Sequence, residues 1–330
     1  LHWRRFTEFF ALREESCMPE TRKPILVVGS INIDLVARTE HIPGPGETVA
    51  GTEFATYPGG KGANQAVSIA RLGYPVRLIG RLGNDAFGSQ LKEHLHGAGV
   101  ELSGVITTEG ASGVAVILVS EAGENCIVVA AGANAHLSPS DLDDNLAIIR
   151  SAGMILTQLE IPLETVQYLA ALCTREDIPL MLDPAPARAL PADLLQAVSW
   201  FTPNESEAAF FAGPGSVVST AAGPQDLAEV LLTSGLSHVV LKRGARGAYL
   251  AGTDGLRASV SAFPVEAVDT TAAGDCFNGA FATALSMGQE PAAAARFAAA
   301  AAALSVTRRG AQSSMPSAAE VEALLMRVSG

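Results

Sequence analysis

The densest chemistry in the sequence lies between Val268 and Gly279. There Asp269, Thr270, Thr271, Ala272, Ala273, Gly274 and Asp275 lead into an apolar repeat of helical period from Phe277 to Met287. Small residues at a helix start leave the first-turn N–H groups open. The amides of Ala272, Ala273, Gly274 and Asp275 then make an anion site reinforced by the helix dipole. Asp275, in that turn, reads in two ways. It is either a carboxylate that caps the helix or a general base beside an anion hole, taking a proton from an attacking hydroxyl while a phosphoryl group rests on the amides.

Two further segments carry polar residues at places where ligands bind. Pro58-Gly59-Gly60-Lys61-Gly62-Ala63-Asn64-Gln65 has glycines that allow close backbone approach, but it is not a P-loop, because no Ser or Thr follows the lysine in GxxxxGK[ST] spacing. It reads as a tight turn or as a ligand loop at a helix start. Gly29-Ser30-Ile31-Asn32-Ile33-Asp34 follows an apolar run, and Asn32 and Asp34 stand at its carboxyl end, where α/β sheets place ligands. They are turn residues or a donor–acceptor pair for the hydroxyls of a polyol.

The elements that must hold these segments follow from hydrophobic period. Ile25–Val28 is a continuous apolar run suited to a strand buried on both faces. A helix over Lys61–Leu72 stopped by Gly73, a strand Val76–Ile79 and a helix from about Asp85 to Gly97 come next. Strands near Met154–Thr157, Leu180–Leu182, Trp200–Thr202 and Val239–Leu241 alternate with helices Leu163–Cys173 and Asp226–Leu232. This alternation predicts a parallel sheet with helices on both faces. Glu47–Tyr57 and Gly113–Val129, the latter turning at Glu121–Asn125, read as strands without helical partners. They predict a small second sheet, a lid built from about residues 33–58 and 110–132, whose exposed edges could pair with a second copy of the chain. After Ala273 the pattern is nearly all helical. Residues 21–330 therefore read as one unit, and residues 1–20 as an extension outside the fold, ahead of Met18.

Composition narrows the function. Of 330 residues, 48% are hydrophobic and 17% charged, enough for a large core. The net charge of −12, with 5% aromatics and no basic run, argues against nucleic acid or an anionic membrane as partner. A phosphate-bearing ligand would need a local site and a cation. Cys17, Cys126, Cys173 and Cys276 form no CxxC pair, so zinc and disulfide scaffolds are disfavoured and a reducing, cytoplasmic setting is expected. His94 and His96, two apart on a helix, point in different directions. No stretch reaches the ~18 apolar residues of a membrane span, and the Ala-rich Phe297–Val306 reads as a tightly packed core helix.

Four strings occur in one order and spacing: Gly29-Ser30-Ile31-Asn32-Ile33-Asp34, Gly59-Gly60-Lys61-Gly62-Ala63-Asn64-Gln65-Ala66, Thr202-Pro203-Asn204-Glu205-Ser206-Glu207 and Ala272-Ala273-Gly274-Asp275. Together they resemble the PfkB family of carbohydrate kinases. Pro184-Ala185-Pro186-Ala187-Arg188 and Gly310-Ala311-Gln312 narrow the match to members acting on ribose. The resemblance runs from about Lys23 to the C-terminus. It implies a ribokinase-like three-layer α/β fold, a mostly parallel sheet between helices with a small β-sheet lid, and phosphorylation of D-ribose at O5 by ATP.

The resemblance also implies roles. Asn32, Asp34, Gly60, Lys61, Gly62, Ala63, Asn64 and Glu160 would line the sugar pocket, and Asp275 would activate the sugar hydroxyl over the amides of Ala272, Ala273 and Gly274. Asn204 and Glu207 would organise phosphate and Mg2+-bound water. Lys242, Arg243, Gly244, Ala245, Arg246, Gly247 and Gly274 would lie along ATP, with Ala299 near its base. A K+ site would take the Asp269 carboxylate, the carbonyls of Thr271, Ser305, Arg308 and Gly310, and Ser314. Three features depart from the family pattern: Ala299 removes a polar contact to adenine, Lys242-Arg243 replaces a neutral pair, and Cys276 sits at a helix start, where a thiol pKa tends to fall. The rivals are a PfkB kinase for another sugar or nucleoside, such as deoxyribose or fructose, and a sugar-binding regulator without catalysis. A dinucleotide oxidoreductase is weakened by the lack of G-x-G-x-x-G after the first strand.

Overall fold

A computed structural model of the protein describes residues 22–213 and 223–328; the expected extension over residues 1–20 lies outside the described residues. Thirteen strands are described: β1 (Ile25–Val28), β2 (Asn32–Thr39), β3 (Gly51–Gly59), β4 (Val76–Gly83), β5 (Glu101–Thr108), β6 (Gly113–Ser120), β7 (Asn125–Ala130), β8 (Met154–Gln158), β9 (Leu180–Asp183), β10 (Trp200–Phe201), β11 (His238–Lys242), β12 (Ala248–Gly252) and β13 (Arg257–Val260). Helices of eight residues or more are α1 (Lys61–Arg71), α2 (Ala86–Gly97), α3 (Leu163–Arg175), α4 (Glu205–Ala212), α5 (Pro224–Leu232), α6 (Ala273–Ser286), α7 (Pro291–Ser305) and α8 (Ala318–Val328).

Nine strands form the central sheet in the order β13-β12-β11-β10-β9-β8-β1-β4-β5. It is parallel from β11 through β5, and β12 and β13 add an antiparallel edge. Successive residues of a strand face opposite sides, so a strand buried on both faces feeds two cores. Ile25 and Val27 join a cluster with α1, α2, α6, α7 and α8, whereas Leu26 and Val28 join one with α3, α4 and α5. These are the three layers. In α7 the alanines at 294, 295, 298, 300 and 301 are fully buried, which lets it pack closely on α6.

The second sheet has four strands, in the order β3-β2-β6-β7. Phe54, Val116 and Val128 are exposed on its outer face, and Ile127 and Val129 are exposed on the opposite face of the edge strand β7. Two points differ from the sequence reading. Asn32 and Asp34 do not end β1: they open β2, so the small sheet itself delivers them. Strands β5, β12 and β13 are additional to those read from the pattern. The short polar-interrupted stretches Arg257–Val260 and Glu101–Thr108 lack an unbroken apolar run, since each is partly exposed. Cys126, Cys173 and Cys276 are free thiols, and among the described residues no helix is long and apolar enough to cross a membrane.

Candidate active site

The carboxyl ends of β9 and β11, the first residue of α1 and the starts of α4 and α6 meet at a cavity of about 600 Å³. Ala272 is the residue before α6, and it holds a left-handed backbone (φ 56°) with no side chain able to cap the helix. The Ala273 amide donates to the Thr270 carbonyl at 3.2 Å, so one of the four expected anion-hole amides is engaged. Those of Gly274 and Asp275 donate to no acceptor among the described residues.

Asp275 is buried, and its carboxylate does not cap its own helix. It accepts from Asn64 Nδ2 at 2.9 Å and from Gln65 Nε2 at 3.2 Å, both on α1. Burial pushes its pKa above the ordinary carboxylate value and Asp183 adds to this, while Lys61, Asn64 and Gln65 act the other way. Its donors are held in turn. Gln312 Nε2 donates to Asn64 Oδ1 at 3.1 Å, and Gln158 Nε2 donates to Gln65 Oε1 at 2.7 Å.

Lys61, the first residue of α1, lines the cavity beside Asp275. Burial pulls the Lys61 pKa down, but Asp275, Asp183, Glu160 and Glu207 together outweigh burial and hold the ammonium charged. Gly60 before it has φ 86°, and a Cβ there would lie 2.6 Å from the Asn32 amide nitrogen, so α1 can start this close to β2 only on a glycine. Gly62 lies as tightly against Gly29, and Ala63 is fully buried with its amide donating to the Ser30 carbonyl at 2.9 Å.

Asn32 and Asp34 sit opposite Gly59 and Tyr57 in the β2–β3 ladder. Asn32 Oδ1 accepts from Asn134 Nδ2 at 2.7 Å, which leaves its own amide as the uncommitted donor. Asp34 is pushed up to about 7, chiefly by burial and then by Glu160 and Asp275, with Lys61 opposing. Glu160 Oε2 accepts from Ser30 Oγ and from the Lys61 amide at 3.1 Å. Asn32, Asp34, Lys61, Asn64, Glu160 and Asp275 thus form one cluster.

Across the cavity, Asn204 and Glu207 cap α4 reciprocally. The Glu207 amide donates to Asn204 Oδ1 at 2.8 Å and the Asn204 amide to Glu207 Oε2 at 2.7 Å. Burial, with Asp183, raises the Glu207 carboxyl against the pull of Lys242 and Lys61. Gly244, Ala245 and Gly247 line the cavity with their backbone, Gly244 and Gly247 at positive φ. The three basic side chains nearby part company. Lys242 enters the cavity and pairs with Asp183 at 3.1 Å, whereas Arg243 and Arg246 face Glu205 and take no part in its wall. Ala299 lies in an apolar end of the cavity with Phe263, Val265, Ala302, Ala303 and Val306.

The loop expected to hold a cation closes on Asp269. Its carboxylate accepts from the amides of Thr271 and Gly310, both at 2.9 Å, and these bonds pull its pKa down despite burial. The amides of Val268 and Asp269 donate to the Val306 carbonyl, which brings the end of α7 against this loop. The Ser305 and Ser314 hydroxyls donate to Ala302 and Ala311, the Ser305 carbonyl accepts from the Arg308 amide, and the Arg308 side chain pairs with Glu320. Among the described residues no cluster of three His, Cys, Asp or Glu could hold a metal, so a cation here would rest on Asp269 and carbonyl oxygens.

Cys276 is fully buried and burial pushes its thiol up to about 12, against the general tendency at a helix start and in keeping with a small structural residue. Asp183, Asn134, Gln158 and the role of Gln65 were not read from the sequence. For Asp183 a signal existed, since it ends a buried parallel strand. Asn134 lies in a short 3-10 turn with no pattern to flag it.

The arrangement can deprotonate a hydroxyl and hold an anionic group beside it. Comparison with known proteins agrees with that chemistry. The pattern of the pfkB family carbohydrate kinases matches residues 22–318. A ribokinase of Bacillus subtilis is 44% identical over 304 residues, covering 91% of this chain and 99% of that protein. The crystal structure of a ribokinase from Thermotoga maritima matches with a TM-score of 0.84 and 40% identity, over 92% of this chain and 99% of that one. Arabidopsis thaliana ribokinase complexed with ribose and ATP matches with a TM-score of 0.85 and 35% identity, again over 92% and 99%.

Proposed function

The chain belongs to the pfkB family of carbohydrate kinases and is an ATP-dependent carbohydrate kinase, and from that premise we propose that it transfers the γ-phosphoryl group of ATP to O5 of D-ribose, giving D-ribose 5-phosphate and ADP. The observation that carries this reading is Asp275: a buried carboxylate turned away from its own helix, held by Asn64 and Gln65, beside the unengaged amides of Gly274 and Asp275.

Asn32 donates from its free amide, and Asp34 and Glu160 accept, fixing the sugar hydroxyls over Lys61 to Asn64. This set is built for several vicinal hydroxyls, which favours ribose over a deoxy sugar. Asp275 takes the proton from O5 as it attacks the γ-phosphorus. The charge that gathers on the phosphoryl oxygens meets the amides of Gly274 and Asp275, with Ala272 turning the chain into the helix and Ala273 securing that turn, and the ammonium of Lys61. Lys242 and the backbone of Gly244 to Gly247 run along the phosphates, and Ala299 packs on the base; Arg243 and Arg246 serve the wall from outside through Glu205. Asn204 and Glu207 would hold magnesium-bound water, because one Glu207 oxygen remains after the helix cap is made; when bound, Mg2+ would supply positive charge to offset that of the phosphates. Asp269 with the carbonyls of Thr271, Ser305, Arg308 and Gly310, and Ser314, would hold K+, whose effect is to stiffen the loop that leads to the amides. Oxygen-only donors fit such a hard cation. The exposed apolar face of the small sheet would dock a second copy of the chain, making a homodimer through the lid, and the free thiols suit a cytoplasmic enzyme.

The test is an ADP-release assay over a panel of ribose, deoxyribose, fructose and nucleosides, with the phosphorylated position read by 31P NMR. Ribose with phosphate at O5 should give the highest kcat/KM. A higher value for another acceptor would replace ribose in this reading, and no ADP release with any acceptor would favour a sugar-binding regulator.

A further inference from the structure

Lys242 does more in this cavity than lie beside phosphates. It ends β11, its side chain is 12% exposed, and its ammonium contacts Asp183 Oδ1 at 3.1 Å. It also reaches the mouth of α6, since a Cβ built on Gly274 would stand 3.5 Å from Nζ. Asp183 spends its other oxygen on Gln65 Nε2 at 3.1 Å, and the same nitrogen donates to Asp275 at 3.2 Å. Gln65 cannot turn its amide over, because Gln158 donates to its oxygen at 2.7 Å. One amide group thus serves two buried carboxylates, and Lys242 binds the one that is not at the reacting centre.

We propose that Lys242 is a positioning residue that sets the proton affinity of Asp275 by neutralising Asp183 across the shared Gln65 amide. The inference rests on Asp275 being the general base. Two carboxylates that share a site disfavour each other's ionisation, and an ammonium on one relieves the other. The charged groups facing the pair are few. Lys61 from α1, Asp183 from β9 and Asp34 from β2 act on Asp275, whereas Lys242 from β11, Lys61 and Glu207 from α4 act on Asp183. Lys61 is shared among Asp275, Asp183, Glu160 and Glu207, so its one charge cannot replace that of Lys242 at Asp183. Burial already raises the Asp275 carboxyl and Asp183 raises it further, so an Asp183 stripped of the Lys242 charge should push it higher still.

The experiment is the pH profile of kcat at saturating ATP and sugar for K242M, K242R and the double variant D183N/K242M. It is paired with a 13C-carboxyl NMR titration of Asp275 in the nucleotide-free protein, assigned with D275N. K242M should move the acid limb and the titration midpoint up by about one pH unit, a ~tenfold loss of rate below the limb. K242R keeps the charge and should leave both in place. D183N/K242M removes the charge Lys242 had to neutralise while keeping an acceptor for Gln65, and should return both toward wild type even where the KM for ATP stays raised. A K242M variant that raises only the KM for ATP, with midpoint and limb unmoved, overturns the proposal, as does a double variant shifted as far as K242M. The NMR midpoint reads this coupling even if Asp275 proves not to be the base, so the two readings fail separately.

Discussion

Replacing Asp34 by Asn separates what the site needs from what the fold tolerates. Asp34 is pushed up from 3.8 to about 7 by burial and by Glu160 and Asp275. A carboxyl whose folded-state pKa exceeds its unfolded value binds more protons when folded, so its contribution is most favourable below about pH 4 and is lost as pH rises through about 7. At 1.36 kcal/mol per unit, a shift of roughly 3 units bounds the cost of the ionised group at about 4 kcal/mol. Water in the open sugar pocket reduces this, and about 1–2 kcal/mol is expected, or ~1–3 °C in Tm for a chain of 330 residues. Asp34→Asn should therefore melt higher than wild type at pH 8 and lose that advantage at pH 5. It should also forfeit hydrogen bonds from sugar hydroxyls to a charged acceptor, about 1.5–3 kcal/mol, raising the ribose KM by ~10–150-fold. Thermal melts at the two pH values, with a ribose titration at pH 8, check both halves. A variant that melts lower at pH 8 and keeps the wild-type ribose KM would refute the reasoning.

Other outcomes follow from the same structure. Turnover should be higher in K+ than in Na+, and Asp269→Ala should remove the difference; equal wild-type rates in the two salts contradict a cation behind the anion hole. Static light scattering should give twice the monomer mass at micromolar concentration, and Val128→Lys, on the exposed apolar face of the small sheet, should give the monomer; a wild-type monomer contradicts lid-mediated pairing.

Much of the architecture was legible because it is periodic. The buried run Ile25–Val28, the helical repeats around Lys61 and Phe277 and the hairpin turn at Glu121–Asn125 each carry their period within a few residues. Strands β5 and β13 were not legible, because edge strands that are partly exposed read like loop, whereas β12 is an interior, fully buried strand whose five residues Ala248–Gly252 are too short and too rich in small residues to stand out. The site divides along the same line. Asp275, Asn64, Asn32 and Asp34 stand in short strings at element ends. Asn134, Gln158 and Gln312 are single amides far apart in the chain, which only the tertiary fold turns into supports for Asn32, Gln65 and Asn64. At Cys276 the local tendency of a helix start and the tertiary setting oppose each other, and burial decides. Arg243 and Arg246 likewise look like phosphate ligands in the string, yet Glu205 draws them away.

The central claim is that the Asp275 carboxylate accepts the proton of the attacking hydroxyl. Removing it in Asp275→Ala leaves the amides of Gly274 and Asp275 and the ammonium of Lys61 in place, so ATP and ribose should still bind. With both substrates saturating and the variant's fold verified by its Tm, turnover should fall by at least about 10²-fold, some 2.7 kcal/mol of barrier. Turnover near wild type, with phosphate still delivered to O5, would contradict the account.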